Sequence, residues 1–386
     1  MRLRVAVRAT PTPHVVGDRR HRLTTTVTET ESIIRLQCMA GNEAVNRMLS
    51  LQRQTTSEVV ITVGLSKAQL ARARAFYAAR RHRYSADLIR AIQRAVGVPE
   101  DPNGKVTDET IVAVADKQEE FGPPLKRDGM AGPRTLGRLF PTGLADAATA
   151  AGFAADVEGT TLDAATWGAV GTAQGRADRL VADVATPLAA ADVGVAPTAR
   201  ADQDLGVNAV FVHEDWEIHF DIDRMHLAKS SLTKSEATDI TTGVYHEARH
   251  AEQYHKMARM LAAKGVSEAG IIRQMELHTE NARAVAKEAI NNPLTRGSPE
   301  FLVAEDQFDA ELGSGKQHHL QVQADVVAAA KAFELAKRRQ DREPTARNAE
   351  ALASAQAKLD KAKEAHDAES TETDAILTER EVAAAM

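Results

Sequence analysis

Residues 245–253 read YHEARHAEQ, and this stretch decides the fold because it places the pattern H-E-x-x-H in a run that is typical of a long helix. Residues four apart lie on the same face of a helix, so His246 and His250 can both bind one metal ion. Glu247 follows the first histidine, where a carboxylate can take a proton from water that zinc has made acidic. The stretch therefore predicts a helical Zn2+ site with Glu247 as the general base.

A third metal ligand has to come from another part of the chain. His255 lies nine residues after the first histidine and points to the opposite side of the helix. The spacing also fails the longer H-E-x-x-H-x-x-G-x-x-H pattern of the metzincins. Sites with two histidines and one glutamate take the third ligand from a later element, and the residues alone leave Glu276, Glu280 and Glu305 open.

The composition favours packed helices. The 386 residues are 43% hydrophobic but only 4% aromatic, and alanine is common, which is unlike an aromatic-rich β-sandwich. We expect two or three domains and a mainly α fold with a small β element. The single Cys38 excludes an internal disulfide and a cysteine cage, so a metal must be held by histidine and carboxylate.

The charge and the hydropathy of the chain limit the classes of partner that we expect. A net charge of -6 and a pI near 6.1 give no reason to expect nucleic acid as a partner. No apolar run approaches twenty residues, so we expect no membrane span. The first residues make a poor signal peptide. We therefore expect a soluble cytoplasmic chain in the producing cell, whose export would need a route independent of a signal peptide.

A short β element is predicted just before the motif helix. Residues 210–212 are apolar, and residues 218–222 then alternate apolar and polar side chains, which is typical of a half-buried strand in a hairpin. We expect residues 218–222 to form an edge along which a substrate peptide adds as a further strand. His213 and His219 are alternative ligands there, although a histidine on such a strand is usually polar surface.

Three segments resemble known families. Residues 36–54 carry L-Q, A-G-N, A-V and L-Q-R-Q at the spacing seen near the N-termini of cargo proteins of extracellular contractile injection systems. Cys38 and Glu43 do not match that pattern. The resemblance implies loading or delivery, with the injection-system tube or its loading factors as partners.

The second resemblance covers about residues 85–140. Turns at Asn103-Gly104 and Asp128-Gly129, a cap at Thr107 and proline at position 133 predict short capped helices. This layout resembles the peptidoglycan-binding module. The resemblance implies peptidoglycan as a partner, but few aromatic side chains are present to stack on sugars, so a spacer role stays open.

The third resemblance covers residues 246–313. The run H-E-A-R-H-A-E-Q, an Asn-Pro loop at 292–293 and a later helix with A-E-D-Q-F at residues 304–308 resemble the zinc peptidase domain of the same cargo proteins. The resemblance selects Glu305 as the third ligand. It implies a gluzincin-like metallopeptidase toxin or effector that hydrolyses a protein or a cell-wall peptide. The alternative is a non-catalytic cargo or wall-binding protein whose metal site is inert or structural.

These patterns divide the chain into six predicted segments. Residues 317–386 are charged and alanine-rich, with two long helices flanking Pro344-Thr345 and a shorter helix at about 374–385, so we expect a structural or docking role there. The segments are a disordered arm at 1–35, the cargo-type motif at 36–57, the wall-binding-like module at 60–142, a linker or accessory lobe at 143–205, the peptidase-like domain at 206–316 and the helical hairpin at 317–386.

Overall fold

The structure is a computed structural model, and it describes residues 64–122, 125–205, 207–367 and 370–386. The predicted arm at 1–35 and the cargo-type motif at 36–57 lie outside the described residues. Within the described ranges the chain is mainly helical with a small three-stranded sheet. This confirms the predicted fold class.

The first four helices begin at polar caps or at proline, and the predicted cap at Thr107 and the predicted proline at position 133 are confirmed. Side chains of Ser66, Ser85 and Thr107 accept hydrogen bonds from backbone amides in the first helical turns. Pro133 stands in the first turn of the fourth helix, where its missing N–H costs nothing. Gly104 adopts a φ of +61°, and a Cβ there would collide with Ala86. The helices are α1 Lys67–Ala79, α2 Ala86–Ala95, α3 Asp108–Phe121 and α4 Pro133–Leu139.

The segment at 143–205, predicted as a linker or an accessory lobe, contains helices and a strand. Trp167 is fully buried and its Nε1 donates to the Lys229 carbonyl over 2.9 Å, so this side chain packs in the core. Strand β1, Thr198–Asp202, lies near the end of this segment, and its sequence T-A-R-A-D does not signal a strand by alternation. The helices are α5 Ala147–Gly159, α6 Ala164–Ala169 and α7 Ala173–Ala190, preceded by a 3-10 helix at Gly143–Ala145.

The sheet corrects the predicted substrate edge. Strands β2, Ala209–Val212, and β3, Glu217–Asp221, pair antiparallel and confirm the predicted hairpin. The strand order is β1-β3-β2, with β1 parallel to β3. The expectation that residues 218–222 form an edge is therefore wrong, because the unpredicted β1 pairs with the far side of β3. The strand at the edge near the motif is β2.

The motif lies in α8, Lys234–Ala263, whose N-terminus is closed by a reciprocal capping box between Thr233 and Glu236. After α8 the chain is helical on both sides of Glu276, which itself adopts a φ of +56°. Shorter helices then follow at α9 Glu268–Gln274, α10 Glu280–Asn291 and α11 Pro299–Glu311.

The chain ends in a helical hairpin and a final helix. The hairpin consists of α12, Lys316–Arg342, and α13, Ala346–Asp367, as predicted, and α14 is Ser370–Ala385. Helix α14 packs on α8 and α5 and buries Ala375 and Val382 completely. Residues Leu65–Met386 form one compact unit, so the last helix belongs to the same core as the motif helix.

Candidate metal centre and its cleft

Helix α8 brings the two motif histidines together. His246 and His250 lie one turn apart, their Nε2 atoms are 3.1 Å apart, and their rings meet edge to face with centroids 4.8 Å apart. Both side chains are largely buried. The four-residue spacing therefore produces the convergence that the sequence predicted for this pair.

A carboxylate from the last helix completes the group. Glu372 of α14 places Oε2 3.5 Å from His246 Nε2 and Oε1 3.4 Å from His250 Nε2. The ligand atoms of these three residues all lie within 4.8 Å of one another. Two nitrogens and one oxygen match the donor set of sites with two histidines and one glutamate, so the cluster could hold a metal ion.

The outward nitrogen of each imidazole also has a neighbour. His250 Nδ1 lies 2.9 Å from Gln253 Oε1 within α8. His246 Nδ1 lies 3.4 Å from Glu379 Oε2, which is two turns after Glu372 on α14. Such contacts fix the tautomer and the orientation of ligand histidines. Gln253, to which the sequence assigned no role, thus directs the Nε2 of His250 toward the cluster.

The three groups are electrostatically coupled. Burial by itself lowers the pKa of His246, but hydrogen bonds to Glu372 and Glu379 raise it well above its usual value. Burial likewise disfavours a charged His250, and the Glu372 carboxylate outweighs it and raises the pKa. Burial raises the pKa of Glu372, but the charge of His250 and hydrogen bonds from both histidines hold it well below its usual range. Protons thus occupy positions from which a metal ion would displace them.

Glu247 connects the motif to the sheet. Its Oε2 accepts a hydrogen bond from the backbone N–H of Phe211 on β2 over 2.7 Å. The side chain is buried at the base of the same cleft. One carboxylate oxygen of the predicted base is therefore held on the edge strand.

A cavity of about 400 Å³ adjoins the cluster. Its polar wall carries the cluster, the predicted base and side chains from several helices, which are His246, Glu247, His250, Tyr254, Glu311, His319, Gln323, His366 and Glu372. Its apolar wall comes mainly from β2 and the loop before it, and comprises Leu205, Val207, Ala209, Val210, Phe211 and Val326. The cleft therefore lies beside the edge strand β2. It does not lie beside the central strand β3, which the sequence predicted as the substrate edge.

The structure places Glu305 away from this cluster. Its carboxylate pairs with Arg83 over 3.1 Å and with Lys264 over 2.8 Å. Lys264 follows α8 and is fourteen residues beyond His250, or roughly 21 Å along the helix axis. Glu305 therefore does not join the histidines, and the carboxylate that does is Glu372.

The other two glutamates considered from the sequence also lie elsewhere. Glu276 pairs with Lys316 over 2.7 Å. Glu280 is exposed in the first turn of α10. Neither belongs to the cluster of possible ligands.

The remaining histidines discussed from the sequence have other partners. His255 is buried on the opposite side of α8 and pairs with Glu288 of α10, which confirms that it points away from the motif. His213 stacks on Tyr254 with ring centroids 4.4 Å apart. His219 lies between Asp202 at 2.9 Å and Glu217 at 3.1 Å.

A sequence signal for Glu372 exists, although it is weak. Glu372 and Glu379 are seven residues apart and share a helix face with Ala375 and Val382, which are fully buried. A carboxylate on an apolar helix face is costly unless it has a partner. The pattern therefore predicts that the Glu372 carboxylate has a partner, but it does not identify the partner residue.

Comparisons with protein-family models, with curated proteins and with solved structures find no match for this chain. Within the described ranges, every helix is too short or too polar to cross a membrane.

Proposed function

We propose that the protein is a zinc-dependent hydrolase that cleaves peptide bonds. The observation that carries the proposal is the convergence of His246, His250 and Glu372 as three possible metal ligands. A further carboxylate, that of Glu247, lies beside them and is not one of the ligands. Three protein ligands are the usual number in catalytic zinc sites, which keep one position open. The cavity of about 400 Å³ gives that position room for a substrate.

The chain's own residues have separate tasks in this proposal. Zinc, when bound by the three ligands, polarises a carbonyl group and makes water acidic. Glu247 accepts a proton from the attacking water and passes it to the leaving amine. The Phe211 amide orients the Glu247 carboxylate, since it donates to Oε2 over 2.7 Å.

Tyr254 is a hydrogen-bond donor on the same wall. Burial, together with the negative charge of Glu311, raises the pKa of its phenol well above the usual value, so the group stays protonated at all ordinary pH values. Tyr254 lies four residues after His250 and therefore on the same helix face. The phenol donates its hydrogen bond to the Glu311 carboxylate, so this pair forms part of the polar wall of the cavity.

The rival function is a non-catalytic protein with a structural metal site. Structural zinc sites are closed by four protein ligands. Among the described residues the group of mutually close ligand atoms has three members, and the Glu247 carboxylate and the cavity adjoin it. His366 Nε2 lies 3.6 Å from Glu372 Oε1 but is outside that group. These features favour catalysis over a purely structural metal.

Delivery and wall binding are further proposals that rest on sequence resemblance. We propose that residues 36–54 mark the chain as cargo of a contractile injection system. For the wall-binding-like module, the support is the set of capped helices α1–α4 with glycine turns at the expected places. Retention of the full chain on peptidoglycan sacculi tests the second proposal, and absence of retention favours a spacer.

The hydrolase proposal is tested by metal content and activity on the same samples. The purified chain should bind one zinc ion, and the double change of His246 and His250 to Ala should abolish it. Glu247→Gln should keep the zinc and lower the rate of peptide hydrolysis by about 100-fold or more. Full activity in Glu247→Gln, or zinc that survives loss of both histidines, would end the proposal.

A further inference from the structure

The two walls of the cleft differ in chemistry. Val207 and Val210 are 37% and 36% exposed, and both line the cavity that adjoins the metal cluster. Val326 of α12 continues the same wall. Large apolar side chains left open to solvent beside a polar cluster are typical of a surface that binds an apolar group.

Among its described residues the polar wall has no lysine or arginine to receive a carboxylate, and three of its four histidines already face Glu372. The described lining residues include three glutamates, Glu247, Glu311 and Glu372, but no lysine and no arginine. A site that binds a free carboxylate needs a cation or well-placed donors, because burial of an unpaired charge is costly. A substrate that carries its own carboxylate next to the scissile bond would instead meet acidic side chains.

The volume of the cavity agrees with a small part of a peptide as its occupant. A volume of about 400 Å³ is near the lower end of the range for ligand sites. It fits one large side chain with a short length of backbone, and it leaves little room for a sugar chain.

We propose that the cleft binds an internal stretch of polypeptide and places an apolar side chain against Val207, Val210 and Val326. This makes the protein an endopeptidase for apolar segments, and it disfavours cell-wall stem peptides, which carry several free carboxylates. The inference rests on the proposed hydrolase function and adds its substrate class.

The test uses the full zinc-loaded chain and matched peptides. The reference peptide is an internally quenched alanine peptide with one central leucine and blocked ends. One partner peptide replaces the leucine by aspartate, and the other ends in a free carboxylate one residue after the leucine. We expect cleavage beside leucine in the reference and kcat/KM lower by about tenfold or more in both partners. Mass spectrometry of the products locates the bond.

A matched pair of variants assigns the preference to the apolar wall. Val210→Arg adds a cation to the wall and should reduce the preference for leucine over aspartate by about tenfold. Val212→Arg changes the same strand two residues away, at a position that does not line the cavity, and should leave the preference unchanged. Equal effects of the two variants would remove the apolar wall as the determinant.

The possible results distinguish failure of the inferred substrate class from failure of the proposed hydrolase function. Efficient cleavage of the aspartate or free-carboxylate peptide, or digestion of sacculi with no cleavage of the leucine peptide, would overturn the inference and keep the hydrolase. Zinc bound at the cluster without hydrolysis of any of these substrates would overturn both.

Discussion

Helices α11 and α14 both pack along α8, and each buries a glutamate, Glu305 on α11 and Glu372 on α14. The exposed fractions of the two residues are nearly equal, at 9% and 8%. Their partners differ in kind. Glu305 lies between two cations, Arg83 and Lys264. Glu372 instead contacts three imidazoles, those of His246, His250 and His366.

The partner determines what a buried carboxylate can do. Lysine and arginine donate hydrogen bonds but offer no lone pair to a metal at neutral pH, so the Glu305 cluster is an ion-pair network. Neutral imidazoles are metal ligands, so the Glu372 cluster can exchange its protons for a divalent ion. Two similar buried glutamates on one helix bundle therefore have different chemistry.

The largest effect should come from Glu372→Gln, which keeps the size of the side chain but removes a charged ligand. We expect zinc affinity to fall by more than about 100-fold, because even partners of ligands change affinity by 10–100-fold. Glu305→Gln is the matched control and should bind zinc as the unchanged chain does. Competition with a zinc chelator measures both affinities.

The reverse result would contradict the assignment of Glu372, and not Glu305, as the metal ligand. If Glu305→Gln lost zinc and Glu372→Gln kept it, the third ligand would be the one that the family resemblance selected. Circular dichroism of both variants shows whether a change in affinity reflects loss of the fold.

An intermediate effect is expected at Gln253, whose Oε1 lies 2.9 Å from His250 Nδ1. Gln253→Leu removes that acceptor and should weaken zinc binding by about 10–100-fold. Gln253→Glu keeps an acceptor at the same reach and should retain most of the affinity. Unchanged affinity in the leucine variant would show that α8 alone orients the imidazole.

The part of the site that could be predicted is the part encoded locally. The histidine pair follows from a four-residue spacing on one helix, and the capped starts at Ser66 and Thr107 follow from side chains that bond to amides three residues later. The hairpin of β2 and β3 is also local. Each of these features is fixed by neighbours in sequence, so one stretch contains all the information.

The parts that were missed depend on distant pairing. Strand β1 has little alternation of large apolar residues and is stabilised by its parallel partner β3. Glu372 meets the histidines only because α14 folds back along α8. The resemblance that selected Glu305 ends at residue 313. The carboxylate that lies at the cluster comes from the later segment, which was expected to have a structural role. A spacing rule cannot detect a ligand whose position is set by packing.

The smallest effect should be the stability cost of Glu305→Gln. Arg83 and Lys264 keep 45% and 37% of their side chains exposed, so solvent screens both ion pairs with Glu305. We expect the free energy of unfolding to fall by about 1 kcal/mol or less, and the loss to shrink in high salt. Urea unfolding at low and at high ionic strength measures this difference. A loss of several kcal/mol that did not respond to salt would contradict it, and would mean that the Glu305 cluster holds α11 against α8 by more than screened charge.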